Sequence, residues 1–401
     1  MVNELGESKA TKGSVDFSTS LTNGHGICQR TNKINTRTNI NMKLFPRFSS
    51  IKIIVTVILV IIVDQYTIAQ SDSSTSDAPT TEYVNHEKES LMDHLTESDM
   101  SKLEIETNLD ELFMDRRRKN YKKAIATFTF ENEETWTDSL EVKVRGVYRA
   151  SNCDNPPLKI KYSKKLLKKR GLKKRNECKL VYPCNNSREY QNYIYKEYLI
   201  YKMYNELTDN SLRVHLVDLT LRDAAQNKED VKGTGFLIEH REELIKRVDA
   251  FKNDMRCVPS INYSPEDYNI FVVFQYMIGN LDFIVENCKN TELVQLQDST
   301  IIPVPYDFDY TGMVNPSYAR PSSSFKQQKV TDRYFIGQKK SLAEFQPVFE
   351  LFEEKKKDFL QIIKNFDYLS KKERKNMIYY LKSFYQDIHN SNRIEKIFIR
   401  S

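Results

Sequence analysis

The sequence has little glycine, histidine or cysteine, and this excludes several common kinds of site. Only 11 of its 401 residues are glycine, and none forms the G-x-G-x-x-G loop that cradles phosphates in many nucleotide-binding proteins. It has six histidines and six cysteines, and Cys178 and Cys184 are too far apart to form a C-x-x-C pair. We therefore expect no zinc site.

The excess of positive over negative charge is also small. The formal net charge of +6 is small for this length, and most of the excess lies in one run at 164–179, KKLLKKRGLKKRNECK. A nucleic-acid-binding protein more often spreads its basic residues over a face with aromatic platforms, so we expect no nucleic-acid partner. We interpret the run as an exposed, solvated insertion, with a binding site for an acidic partner as the alternative.

The apolar run at 53–63, IIVTVILVIIV, has eleven residues, whereas a membrane span needs about 20. It fits the hydrophobic region of a signal peptide. Met42 opens MKLFPRF, a short basic segment, and Ala69 ends a stretch of small residues suited to cleavage. These features predict an exported protein (secreted, periplasmic or on the cell surface) that meets the membrane only transiently. An uncleaved signal that anchors the domain is the alternative.

This interpretation divides the chain into four parts. Residues 1–41 are an over-extended N-terminus, 42–69 the signal peptide, 70–110 a disordered and acidic linker, and 111–401 the folded domain. Five cysteines follow the signal, so at most two disulfides form, and their pairing stays open: Cys153, Cys178, Cys184, Cys257 and Cys288.

The domain has ample material for a core, since 39% of the sequence is hydrophobic and it contains 23 Tyr and 21 Phe. Period-two alternation predicts strands at 124–130, 139–147, 158–162, 214–221 and 235–239. Helical spacing predicts helices at 187–207, at 268–278 and from 342 onward, and a hairpin is predicted at 290–306. The fold class is therefore α+β, with a small antiparallel sheet in an N-lobe at about 111–241 and a helical C-lobe at about 242–401. A cleft lies where the lobes meet.

The strongest chemical signal is the segment 303–312, PVPYDFDYTG. Asp307 and Asp309 are two residues apart on an extended segment, so their carboxylates point to the same side. Carboxylates near a core usually hold a metal or face a basic side chain, because burying them unpaired is costly. A polar turn after a strand is the alternative.

Two further polar residues lie upstream of that segment. Asp282 follows a buried helix, and Asn290 comes eight residues later. An Asp that orients a hydroxyl, together with an Asn and a second Asp on a divalent ion, is the set of groups that phosphoryl transfer requires. Taken alone, Asp282 is equally explained as a residue of a helix C-terminal turn.

The ordered motifs VRGxxR, PPLKIKY, KEYLIYKMYNEL, GFLIE, FQYMIGNLD and VPYDFDYTG, found within 124–314, resemble those of the spore-coat CotH-like kinase family. That family is an atypical branch of the protein-kinase-like superfamily. The resemblance implies a two-lobed protein-kinase-like fold, ATP as the nucleotide, Mg²⁺ or Mn²⁺ as the metal, and an envelope or secreted protein as the substrate.

The resemblance also assigns roles. Lys159, with Lys161 as the fallback, contacts nucleotide phosphates, and Glu197 pairs with that lysine. Asp282 is the catalytic residue, and Glu239 lies beside the adenine. Asn290 and Asp307 bind the metal, and Asp309 assists them. Arg145 and Arg149 take the place of the glycine-rich loop. Asn287 lies at the spacing of ordinary kinases and competes with Asn290.

Each assignment has a simpler structural alternative. Lys159 and Lys161 alternate on a strand and fit a solvated face, Glu197 fits a surface helix charge, and Arg145 and Arg149 fit a surface loop.

The function predicted first is an exported ATP-dependent kinase. The second is a pseudokinase or binding module, because Lys289 occupies a position where a His would fit the pattern and the glycine-rich loop is missing. The third is a surface structural or adhesion protein that uses the basic run.

Overall fold

Seven strands close into a barrel. The computed structural model describes residues 89–251, 263–286 and 288–400. The strands are β1 (Met100–Thr107), β2 (Lys122–Thr129), β3 (Thr135–Val144), β4 (Leu158–Tyr162), β5 (Glu177–Val181), β6 (Val214–Asp223) and β7 (Val231–Ile238). Their order around the barrel is β1-β2-β3-β4-β5-β7-β6. All neighbours are antiparallel except β1 and β6, which pair in parallel along the full length of β1.

The barrel interior is filled by alternate residues of its strands, as the period-two geometry of a strand requires. In β4, Leu158, Ile160 and Tyr162 are buried, while Lys159 and Lys161 lie on the outer face. The same alternation in β1 buries Leu103, Ile105 and Thr107.

Short helices connect the strands, and a longer one leads away from the barrel. The short helices are α1 (Leu91–Leu95), α2 (Leu109–Met114), α3 (Tyr148–Asn152) and α4 (Lys164–Lys169), and the long helix is α5 (Arg188–Leu207). Twelve residues of α5 are buried. A helix apolar on most of its sides lies between two structures, and α5 contacts both the outside of the barrel and the C-terminal helices.

The C-terminal part is helical with one hairpin. Its helices are α6 (Arg241–Arg247), α7 (Pro265–Ile278), α8 (Leu342–Lys364), α9 (Lys371–Ile388) and α10 (Ser391–Phe398), and its strands are β8 (Thr291–Gln295) and β9 (Ile301–Pro305). A second core joins these elements to α5 and to the outer face of β6 and β7. Its aromatic centre includes Tyr201, Phe236, Phe274 and Phe308.

Local signals fix the end of α7. Gly279 ends the helix in a left-handed conformation with φ of 67°, which glycine adopts at little cost. A side chain there would also collide with the Tyr380 hydroxyl. The chain therefore turns sharply into the segment that carries Asp282.

The predicted two-lobed protein-kinase-like fold, with a small antiparallel sheet as its N-lobe, is wrong. The sheet is a closed, mixed seven-stranded barrel. The closing strand β1 lies within 70–110, which the sequence predicted to be a disordered and acidic linker. Its outward Lys102, Glu104 and Glu106 obscure a regular strand pattern. The basic run at 164–179 is likewise not wholly an insertion, because its last residues begin β5, between β4 and β7.

The predicted signal peptide and the N-terminal part of the predicted linker lie outside the described residues. Within the described ranges, no helix combines the length and the apolar composition needed to cross a bilayer.

Because β1 closes the barrel, loss of a buried side chain from this strand should destabilise the folded protein. Ile105 is fully buried, so Ile105→Ala should lower the free energy of unfolding by about 2–5 kcal/mol through lost burial and an internal cavity. Urea unfolding measures this difference. Lys102→Ala, at an exposed position of the same strand, should change it by less than about 0.5 kcal/mol. Equal effects of the two substitutions would contradict the barrel role of β1.

Candidate functional site

The hairpin β8–β9 delivers two carboxylates into the molecule. Asp307 and Asp309 follow β9 and flank Phe308, which is fully buried and lies 4.6 Å, centroid to centroid, from the Tyr201 ring. Asp307 has a φ of 66°, in the left-handed region, and its N–H donates a 2.9 Å hydrogen bond to the Tyr201 hydroxyl. An Asp in this conformation costs free energy and is typical of functional sites. The buried ring between them fixes where both carboxylates lie.

Helix α5 contributes a third carboxylate. Glu197 is 1% exposed, and its Oε2 has no hydrogen-bond partner within the described part of the chain. Burial, then Asp309 and Asp307, raise the pKa of Glu197 well above its ordinary value, while Arg149 and Arg145 act in the opposite direction. Glu197 is therefore not the surface helix charge that sequence reasoning offered as its alternative.

The carboxyl of Asp309 is shifted for the same reasons. Burial and the nearby Asp307 raise its pKa to about 6, against the influence of Arg149 and of a 3.1 Å hydrogen bond from the Tyr318 hydroxyl. Asp282 also raises this pKa. The acidic groups thus act on one another across a low-dielectric site.

Two arginines face these carboxylates. Burial alone lowers the pKa of Arg149, but Asp309 and Glu197 outweigh it and the pKa is raised. Its Nη2 donates a 2.6 Å hydrogen bond to the Tyr182 carbonyl. Arg149 lines a cavity of about 50 Å³ with Glu197 and Asp309, which is room for a few waters or a small hydrated ion. Arg145, at the end of β3, lowers the pKa of Glu197.

A disulfide forms part of the wall of this cavity. Cys153 and Cys184 are joined with an S–S distance of 2.15 Å, and both line the cavity. Cys178 is a buried thiol whose pKa burial raises to about 12. Cys257 lies outside the described residues.

Lys179 of β5 is the functional candidate that sequence reasoning missed. Burial and Arg145 lower its pKa to about 8, while Glu292 and Asp307 oppose the shift. Its Nζ lies 4.3 Å from the centroid of the Tyr306 ring and 4.0 Å from the Glu292 carboxylate. The signal was present as a strand-like alternation, ECKLV, inside the run interpreted as an insertion.

The two lysines assigned to the phosphates lie on the neighbouring strand. Lys159 is the cross-strand partner of Lys179 but forms a 2.6 Å ion pair with Glu177, not with Glu197. Lys161 pairs with Glu141 at 2.7 Å. The structure therefore brings Lys159 to the edge of the site and leaves Lys161 outside it.

The Asp282 segment forms a tight loop beside the hairpin. The Asn290 Nδ2 donates to the Asp282 carbonyl at 2.6 Å and to its Oδ2 at 3.0 Å, and Lys289 forms an ion pair with the same carboxylate. The Tyr306 N–H donates to the Asn290 carbonyl at 3.1 Å, which links this loop to the residue before Asp307. Asn287, the competing ligand, lies outside the described residues.

Glu239 is fully buried at the end of β7, where its carboxylate is shared by two arginines. Arg213 Nη2 lies 2.9 Å from Oε1, and Arg247 Nη2 lies 3.0 Å from Oε2. These contacts join the barrel to α6 and occupy both oxygens that were expected to face an adenine.

The carboxylates of the site are close but not tightly gathered. Within the described ranges, one group of acidic and histidine side chains has ligand atoms that all lie within 4.8 Å of one another. It consists of Glu89, His94 and Glu97, which are remote in sequence from this site. Electrostatic influence and the Asn290–Asp282 hydrogen bond nevertheless link seven of the predicted residues: Asp282, Asn290, Asp307, Asp309, Glu197, Arg145 and Arg149.

Comparison with known proteins gives no assignment: no protein-family model matches the chain, and no curated protein matches it significantly. The resemblance to CotH-like kinases rests on the quoted motifs alone.

The shifted pKa of Asp309 predicts how stability depends on pH. The pKa of Asp309 in the folded protein, about 6, lies above the ordinary value of 3.8, so folding favours the protonated carboxyl. As pH rises between those two values, ionisation of this carboxyl therefore lowers the stability of the folded protein. In thermal melts, the Tm of Asp309→Asn minus that of the wild type should increase as pH rises over that interval and should level off above about pH 7. The exposed Asp209→Asn is the control. A pH-independent difference for Asp309→Asn would contradict the burial of this carboxyl.

Proposed function

We propose that the chain binds a nucleoside triphosphate with Mg²⁺ or Mn²⁺ and transfers a phosphoryl group to a protein of the envelope or secretory route. ATP is the nucleotide that the resemblance to CotH-like kinases suggests. The proposal concerns the site and its chemistry and does not depend on a kinase-like fold.

The proposal rests on one observation: three buried or half-buried carboxylates lie within electrostatic reach of three cations. Glu197 and Asp309 share a small cavity with Arg149, and Asp307, Arg145 and Lys179 act electrostatically on these groups or on one another. Phosphoryl transfer requires positioned charge of both signs, since anionic oxygens must be neutralised while carboxylates hold the metal.

The acidic groups suit a hard divalent cation. Magnesium and manganese prefer carboxylate and amide oxygens, and the site offers these from Asp307, Asp309 and the otherwise unpartnered Oε2 of Glu197. Burial and the neighbouring carboxylates raise the pKa of Glu197 and Asp309, and a bound cation would favour their charged forms again. When bound, the ion would neutralise the phosphate oxygens and hold them against the carboxylates.

The cations fit the phosphates. Arg145 acts electrostatically on both Glu197 and Lys179. Arginine binds phosphate oxygens through a planar pair of donors. Lys179 is half-buried, and among the described residues its closest ion-pair contact is Glu292, at 4.0 Å. These side chains do the work that a glycine-rich loop does elsewhere. Lys159, already paired with Glu177, supports Lys179 from the next strand.

Asp282 is the residue that we assign to the acceptor hydroxyl. Its carboxylate is held by Asn290 and acts on Asp309, so it lies within reach of the acidic group. A carboxylate in this position accepts the hydroxyl proton as the phosphoryl group is transferred.

Export is part of the proposal. Disulfides form and persist mainly in oxidising compartments, and the Cys153–Cys184 bond supports the signal peptide interpretation of 42–69. The protein meets the membrane through that signal, transiently or as an anchor.

Nucleotide binding tests the first step. Mg-ATP at 100 times its Kd should stabilise the wild type by about 2.7 kcal/mol, seen as a rise in Tm of several degrees that EDTA abolishes. Asp307→Asn should abolish the rise, because it removes a metal ligand. Asp298→Asn, in the exposed turn of the same hairpin, is the matched control and should keep it. A wild type that millimolar Mg-ATP and Mn-ATP fail to stabilise would sink the proposal.

The contact between Lys289 and Asp282 favours a second candidate, a binding module that does not transfer phosphate. The ammonium of Lys289 pairs with the carboxylate that the reaction needs as a base, and such a pair makes proton acceptance less favourable. In this candidate, the nucleotide site survives and the chemical step is lost.

Radiolabelled phosphate transfer to co-secreted proteins separates the two candidates. If the wild type is an active enzyme, Asp282→Asn should lower the rate of phosphate transfer by about 10²–10⁴-fold, the usual range for loss of a general base. The Mg-ATP affinity of this variant should be unchanged. Lys289→Ala should keep or raise the rate. A wild type that binds Mg-ATP but incorporates no phosphate into any secreted protein would establish the binding module instead.

A further inference from the structure

The Cys153–Cys184 disulfide lies beside the charged groups of the site. Both cysteines line the 50 Å³ cavity that Arg149, Glu197 and Asp309 also line. Cys153 immediately follows α3, the helix that carries Arg149, and its N–H donates to the Arg149 carbonyl at 3.0 Å. Cys184 lies in the loop that leads from β5 to α5, the helix that carries Glu197. The covalent bond therefore joins the segment of the arginine to the segment of its carboxylate partner.

Helix α3 has little else to hold it. It is five residues long, its N-cap Val147 makes no side-chain capping bond, and Ala150 is its only buried residue. Val147 and Tyr148 are 80% and 58% exposed. Isolated helices of this length are unstable in water, so the position of Arg149 depends on the contacts at the end of α3.

Those contacts converge on the disulfide. The Asn155 N–H donates to the Cys184 carbonyl at 2.9 Å, and Arg116 Nη1 donates to the Cys153 carbonyl at 3.1 Å. The Arg149 guanidinium bonds to the Tyr182 carbonyl, two residues before Cys184. These are hydrogen bonds between loops, and each contributes only about 0.5–1.5 kcal/mol, or about twice that where a charged group takes part. The disulfide is the one covalent connection between 148–157 and 182–187.

We propose that the Cys153–Cys184 disulfide is a positioning element of the site, which holds Arg149 against Asp309 and Glu197, so that only the oxidised protein presents a complete phosphate site. The inference rests on the proposed function, in which Arg149 contacts phosphate oxygens. Cys184 is partly exposed, and a dithiol reductant can reach it. Reduction breaks the S–S bond, and the reductant supplies the two electrons and two protons that form two thiols.

A double-mutant cycle on the full chain tests this role, with Mg-ATP affinity as the readout. Arg149→Lys keeps the charge but loses the paired donors, and Cys153→Ser with Cys184→Ser removes the bond. Each change should weaken binding by about tenfold or more, because a hydrogen bond to a charged group is lost. Combined, they should weaken it no further than the larger of the two alone.

Arg145→Lys is the matched control, since Arg145 immediately follows β3 and precedes the disulfide-linked segments. Its effect should add to that of the cysteine substitutions. Additive losses for Arg149 would overturn the proposal, because the disulfide would then act on the fold in general. Should the serine variant fail to fold, the folded wild type reduced with dithiothreitol replaces it in the cycle.

Hydrogen exchange separates failure of this inference from failure of the proposed function. Removing the disulfide should speed exchange in peptides that cover 148–155 and leave exchange in α9 unchanged. If the oxidised wild type binds no Mg-ATP, the phosphotransfer proposal fails, and the exchange result alone decides on positioning. Unchanged exchange at 148–155 would overturn the positioning role whether or not nucleotide binds.

Discussion

The constraint on which the site depends is the cost of burying several carboxylates together. Burial raises the pKa of both Glu197 and Asp309; Asp309 and Asp307 raise that of Glu197 further, and Asp307 and Asp282 raise that of Asp309. Such an arrangement is unfavourable unless opposite charge is supplied. Arg149 and Arg145 supply part of it from the protein, and within the described residues the Oε2 of Glu197 has no hydrogen-bond partner. In the proposed function, a divalent cation with an anionic ligand supplies the rest.

Everything around the acidic group serves to keep it in place. The barrel supplies Arg145 and Lys179 from strands whose alternate residues are locked in its interior. The second core fixes Phe308, and thereby the two carboxylates that flank it, against Tyr201 of α5. Because α5 contacts both the barrel and the C-terminal helices, the side chain of Glu197 cannot move without disturbing one of the two cores. The repulsion is therefore retained in the folded state instead of relaxing.

Local patterns in the sequence predicted individual elements better than their closure into a barrel. Alternation and helical spacing located most strands and helices, and the ordered acidic motifs pointed to Asp282 and Asp309, which interact electrostatically in the structure. Closure of the barrel escaped it, because β1 carries outward Lys102, Glu104 and Glu106 within an acidic stretch, and because its parallel partner β6 lies over a hundred residues away. Long-range pairing of this kind leaves no local pattern. Lys179 escaped sequence reasoning for a related reason: Lys159 and Lys179 are cross-strand neighbours, and only the position of the acidic hairpin distinguishes them.

The missing glycine-rich loop then has a physical explanation. A glycine loop binds phosphates with backbone N–H groups, which requires a close approach that only residues without a side chain permit. Here the corresponding edge of the sheet presents side chains instead: Arg145 at the end of β3, Arg149 on a short helix and Lys179 on β5. Long cationic side chains reach further but are less rigid, so they need external support. The Tyr306 ring beside Lys179 and the disulfide beside Arg149 are supports of this kind, and one of them is chemically stable only where the environment is oxidising. In the export that we propose, the compartment permits a covalent tether for a charged side chain, and such a tether can support the side chains that would stand in for a glycine loop.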